Sequence, residues 1–107
     1  MVEHEVVLDE GDSVVLGQQV SVRFVRVAED SRCPASVTCV WEGNARVVVH
    51  VSGSADSLLN TNSSSGADAL QSGAIRITLA AVEPEPRQPN EPASTYRIRL
   101  RWGFLPD

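Results

Sequence analysis

Apolar residues recur along this chain at every second position, with almost no stretch in which they return at helical spacing. Strands are the elements this period predicts. Val6 to Leu8 precedes a turn at Asp9-Glu10-Gly11-Asp12, and Ser13 to Leu16 is closed by Gly17, which reads as two short strands or one interrupted edge. From Val20 the alternation Val20, Val22, Phe24 turns one face inward, whereas Val25 and Val27 carry apolar side chains on the opposite parity. That switch predicts a β-bulge or bend near Phe24 and Val25.

Asn44 to Ser52 alternates cleanly, with Ala45, Val47, Val49 and Val51 on one face and Arg46, Val48 and His50 on the other. Leu58 and Leu59 make a short strand. The segment Asn60 to Gly66 is a polar loop, because its small hydrogen-bonding side chains compete with ladder formation. After Gly73, Ala74 to Val82 forms a strand with Ile75, Ile77, Leu79 and Ala81 inward. Glu83 to Pro92 carries Pro84, Pro86, Pro89 and Pro92, so it is a surface connection of extended character. The last strand, Tyr96 to Trp102, sets Tyr96, Ile98, Leu100 and Trp102 against Arg97, Arg99 and Arg101 and ends at Gly103. A helical turn has room only at Asp68 to Gln71. Seven to eight short strands with turn signals between them predict an all-β domain, an immunoglobulin-like β-sandwich, with a small β-barrel as the alternative.

Length and composition narrow this further. The chain has 107 residues, 42% of them hydrophobic, which suits one core and a single domain over residues 1–107. No apolar stretch approaches the roughly 20 residues of a membrane span. Met1 to Glu5 lack the basic and apolar regions of a signal peptide, so an exported form has its leader absent from this chain. The formal net charge is -5, and all nine basic residues are arginines. That balance argues against nucleic acid as a partner, since phosphate binding needs a cationic surface.

The stretch Asp30 to Ala45 holds the two cysteines, Cys33 and Cys39. Their spacing suits a tight loop closed by a disulfide, for which loop-closure entropy gives roughly 2 to 2.5 kcal/mol. A zinc half-site would need His4 or His50 to complete it, and neither has a second ligand near it in sequence. A redox pair of the thioredoxin kind uses two intervening residues at a helix N-terminus. A structural staple is the reading adopted, with no metal and no cofactor. Around it, Asp30 and Ser31 can accept from loop amides and Gly43 can take a positive φ. Trp41 packs over the disulfide or into the core; alternatively Arg32, Trp41 and Glu42 form an exposed recognition tip.

The string DSRCPxxxxCxWxGxA over these residues resembles the hallmark of an uncharacterised family of small bacterial domains found behind lipoprotein or secretion signals. Phe24-x-x-Val27 ahead of it, Leu59-Asn60-Thr61-Asn62, the run Ile77 to Pro84 in the pattern IxLxxVxP, and a final strand entered at Tyr96 extend the likeness over most of the chain. The Pro-rich connection and the Trp102-Gly103-Phe104 tail depart from it. The resemblance implies a β fold and an extracytoplasmic address, whether periplasmic, lipoprotein-anchored or secreted. It implies no activity.

No catalytic constellation can be assembled from the remaining residues. His4 lies near the terminus and His50 on the outward face of a strand, neither beside a nucleophile. Asp9-Glu10-Gly11-Asp12 lacks the spacing of a calcium loop, and Asn62-Ser63-Ser64 matches a glycosylation sequon with no implied role. Arg97, Arg99 and Arg101, with Arg76 on a neighbouring strand, form a candidate basic stripe for an acidic polymer or partner. The same row could pair with Asp and Glu across strands and guard an edge, or be the edge of a homodimer. The expected function is a non-enzymatic cell-envelope or secreted domain that binds a protein or surface polymer. The alternatives are a protease-inhibitor-like domain presenting a rigid loop and a structural spacer module.

Overall fold

The computed structural model describes residues 3–33, 38–40, 43–84 and 95–106. Among them the alternating pattern becomes eight strands: β1 His4–Asp9, β2 Ser13–Leu16, β3 Val20–Asp30, β4 Ala45–Val51, β5 Ser57–Asn60, β6 Ala69–Ser72, β7 Ile75–Glu83 and β8 Arg97–Phe104. They form two antiparallel four-stranded sheets, β1-β8-β7-β6 and β2-β3-β4-β5. The sheets stay separate, so the architecture is a β-sandwich and the barrel alternative is set aside. Each sheet is largely a meander. The chain changes sheet at the Asp9–Asp12 turn and again between β5 and β6, so β1 and β2 are edges of different sheets. Among the described residues no helix is long and apolar enough to cross a membrane.

Inward positions from both sheets meet in one core. Val22, Phe24, Val47, Val49 and Leu59 face Ile75, Ile77, Ile98 and Leu100, all of them buried. Their alternation along each strand is what a sheet with one wet and one dry face requires. β3 keeps its apolar residues useful by slipping register twice, between Phe24 and Arg26 and between Val27 and Glu29. Each slip inserts an unpaired residue, and Val27, on the wrong parity by simple counting, packs against the core.

β7 uses the same device, and here the expected inward set needs correcting. Its register slips between Leu79 and Ala81, so Val82 is buried and Ala81 is not. Asp68 to Gln71 forms no helical turn. Ala69 to Ser72 pairs with Thr78 to Ile75 as β6, and Leu70 packs against the core. A four-residue helix has too few internal bonds to compete with a ladder and an apolar contact. β8 continues through Gly103 to Phe104, which pairs with Ile75.

The two ends of the sandwich differ. One is closed by tight turns at 17–19, 52–56 and 73–74, and at Gly17 a Cβ would collide with the Phe104 ring. At the other end lie the long connections 31–44, 61–68 and 84–96. Truncating Phe24, the largest fully buried side chain among the described residues, opens a cavity in the core that both sheets share. Phe24→Ala is expected to cost about 3–5 kcal/mol, read as a lower urea midpoint at unchanged slope.

Candidate functional site at the long-loop end

At the exit of β3, Asp30 and Arg32 form a clasp. The Arg32 guanidinium grips the Asp30 carboxylate through two bonds, Nε to Oδ1 and Nη2 to Oδ2, each 2.8 Å. Its other donors cross to the opposite sheet, Nη1 to the Val82 carbonyl and Nη2 to the Pro84 carbonyl at 2.8 Å. The Tyr96 hydroxyl donates to Asp30 Oδ2 at 3.1 Å. The planar fork thus ties the end of β3 to the end of β7, and Asp30 brings in the entry to β8 through Tyr96. The Arg32 and Asp30 side chains are 12% and 15% exposed, so the pair is screened from water and its geometry is strongly directional. Arg32 therefore turns inward and is no part of an exposed tip. Trp41 and Glu42, the other two residues of that expected tip, lie outside the described residues.

Beside the clasp, the predicted disulfide is present between Cys33 and Cys39, with Cα atoms 6.0 Å apart. Gly43, where the chain enters β4, is packed against Ser31 and Arg32. Gly43 has φ +77°, and a Cβ there would overlap the Ser31 carbonyl, so both backbone conformation and space require glycine. Ser31 seals this approach, donating from its N–H and its hydroxyl to the Asn44 carbonyl at 2.7 and 3.0 Å.

Three buried asparagines continue the polar framework. Asn44 Nδ2 donates to Asn60 Oδ1 at 2.9 Å, while its Oδ1 accepts from the Asn62 N–H at 3.0 Å. Asn60 Nδ2 reaches the Ala67 carbonyl and Asn62 Nδ2 the Gly43 carbonyl. The loop 61–68 is fastened to the start of β4 by side chains that satisfy each other and the local backbone. A buried amide left unpaired would be costly, which is why the set closes on itself. The sequon at Asn62 is consumed by this role, because Asn62 Oδ1 also accepts from the Ser64 N–H and hydroxyl.

The four arginines of the candidate stripe share the outer face of one sheet, but carboxylates are interleaved with them. Arg97 Nε lies 2.8 Å from Asp9, Arg99 lies 3.2 Å from Glu5 and 2.9 Å from Glu83, and Arg101 lies 4.0 Å from Glu5. Arg76 is exposed, with no ion pair among the described residues. β8 has a hydrogen-bonded neighbour on each side, so the arginine row is interior to its sheet and forms no edge, either for protection or for a dimer. His4 stacks on Trp102 with ring centroids 4.6 Å apart, and His50 Nδ1 lies 2.8 Å from Asp56. No group of three or more potential metal ligands occurs among the described residues.

Between the clasp and the charged face lies a cleft of about 230 Å³, lined by Asp9, Glu83, Pro84, Thr95, Tyr96 and Arg97. Two of its walls, Pro84 and Tyr96, are held by the clasp. Tyr96 is further fixed by its N–H, which donates to Glu10 Oε1 at 3.0 Å. Arg97 is held above its ordinary pKa, first by its hydrogen bond to Asp9 and that residue's charge, with Glu83 and Asp12 adding to it. In the residues alone Asp30 marks an acceptor for loop amides and Tyr96 an inward strand position; their bond across the sheets, and the asparagine set, show there only as polar side chains placed where strands begin or end.

With this geometry in hand, comparison with known proteins adds no relative: no family model, curated protein or solved structure matches the chain.

Burial works to raise the Asp30 pKa, but the Arg32 hydrogen bonds and charge, with the Tyr96 hydroxyl, outweigh it and hold the carboxyl below its usual range. A carboxyl depressed on folding stabilises the native state above its unfolded value of about 3.9, and that contribution is lost as pH falls through the lower folded value. Asp30→Asn is therefore expected to weaken the domain by about 1–3 kcal/mol at pH 7. It should also flatten the decline of the urea midpoint below about pH 4 relative to the wild type.

Proposed function

We propose that this domain is a non-enzymatic extracytoplasmic binding module that presents its long-loop end to a protein or surface polymer of the bacterial cell envelope. The observation that carries this reading is the asymmetry of bracing. The turn end is built from short hairpin connections, whereas the long-loop end is underpinned by a disulfide, an arginine clasp and an asparagine lattice. Loops held on a rigid scaffold are where recognition commonly resides, because preorganisation lowers the entropy lost on binding. The disulfide supports an oxidising compartment, and the resemblance of the cysteine segment to secreted and lipoprotein domains supports a bacterial envelope address.

A second reading draws on the same clasp. A ring closed by Cys33 and Cys39, with Arg32 pinned beside it, is also suited to entering a protease cleft. Site-specific photo-cross-linking separates recognition at this end from a passive spacer. Benzophenone side chains at Val40 and Thr95, both exposed at the long-loop end, are expected to form discrete adducts in a bacterial envelope fraction, while one at Ser54 forms none. Adducts of equal yield from both ends, or from neither, would sink the proposal. An adduct with a protease active site at Val40 would favour the inhibitor reading.

A further inference from the structure

We infer that Arg32 couples the Cys33–Cys39 ring to the cleft beside β7 and β8, so that the cleft walls keep their shape only while the disulfide is oxidised. The inference rests on the proposed function in taking the cleft as part of the binding end; the coupling itself is internal to the fold.

Arg32 is adjacent in sequence to Cys33, and its side chain holds carbonyls fifty and fifty-two residues away, at Val82 and Pro84. Its own N–H donates to Asp30 Oδ1 at 3.4 Å, and its neighbours hold the backbone on both sides. On one side Ser31 is bonded to Asn44, with Gly43 packed against Ser31 and Arg32. On the other the disulfide restrains Cys33. Pro84 and Tyr96 line the cleft and are both bonded to clasp members, Pro84 to Arg32 and Tyr96 to Asp30. A guanidinium fork satisfies several acceptors only in one position, so a shift of its backbone releases Asp30, Val82 and Pro84 together.

Cys39 is exposed and Cys33 half-buried, which leaves the disulfide open to a small dithiol. A thiolate of that dithiol attacks one sulfur, forming a mixed disulfide and releasing the other cysteine as a thiol. The second thiol then closes on the first, so two electrons and two protons pass to the protein and the reductant leaves as its cyclic disulfide. The chain between the two cysteines regains the conformational freedom that cross-linking had removed, and the restraint that the disulfide places on Cys33, next to Arg32, is lifted.

Tyr96 is the single tyrosine of the chain, so 3-fluorotyrosine labelling gives one fluorine resonance that reports the cleft wall. Reduction with dithiothreitol is expected to displace that resonance and to speed hydrogen exchange in peptides covering residues 79–84 by about tenfold, with residues 13–22 unchanged. Cys33→Ser/Cys39→Ser should reproduce this without reductant, and Arg32→Met should show a displaced resonance that no longer responds to reduction. An unmoved resonance in protein whose two thiols are both alkylated overturns the coupling. So does an equal rise in exchange in both peptides, which signals general unfolding. None of these readouts needs a ligand, so a failure to find a binding partner leaves the coupling standing.

Discussion

The tie between the two sheets at the long-loop end depends on one guanidinium having the right neighbours. A β-sandwich joins its sheets through apolar side chains, which are non-directional and tolerate sliding. Arg32 adds a directional tie at the margin of that core, where apolar contacts thin out and three connections leave the strands. It meets a carboxylate on its own sheet and two carbonyls on the other. The partners are mutually dependent. Without Asp30 the arginine would be a poorly solvated charge, and without Arg32 the carbonyls of Val82 and Pro84 would lose their donors at the point where β7 gives way to a proline-rich connection.

The asparagine lattice answers a related problem. Loops avoid burial because their backbone groups would go unpaired, yet the 61–68 connection lies over Asn60, which is buried. Asn44, Asn60 and Asn62 resolve this by offering one donor pair and one acceptor each, matched to the other amides and to carbonyls of Gly43 and Ala67. Such an arrangement is exacting, since an aspartate or leucine at any of the three would leave buried groups unsatisfied. It also explains why small residues surround it. Gly43 must admit the Ser31 backbone, and Thr61 supplies an acceptor for the Ala45 N–H.

Much of the fold was legible in the residues because inward positions repeat with a period of two, and β4 shows the two faces its alternation predicts, although Val48 on the outward face is also buried. Parity counting failed where the structure inserts a residue. It placed Ala81 inward instead of Val82: in β3 a switch of apolar parity at Val25 and Val27 marks the bulge, whereas in β7 Ala80, Ala81 and Val82 are all apolar and parity alone does not place the slip. β6 was missed for a similar reason: Ala69 to Ser72 has little strand character of its own, and pairing with β7 supplies it. The site was legible as a segment but not as a geometry. Asp30, Ser31, Arg32 and Gly43 could be singled out by motif, whereas their partners at Val82, Pro84 and Tyr96 are fifty or more residues distant, and no local pattern connects them.

Charge placement bears on where recognition can occur. An arginine row on an acidic protein invites the idea of a basic surface, but register determines what such a row is worth. Because β8 lies between β1 and β7, Asp9, Glu5 and Glu83 fall opposite the arginines, and the face is a lattice of alternating sign. Exposed pairs of this kind add little to stability and present little net field to a ligand. On this face the exposed Val7 sits opposite Arg99, among the charged pairs. The features that distinguish this domain from a plain sandwich are therefore at its long-loop end, where buried polar contacts rather than surface charge set the shape offered to a partner.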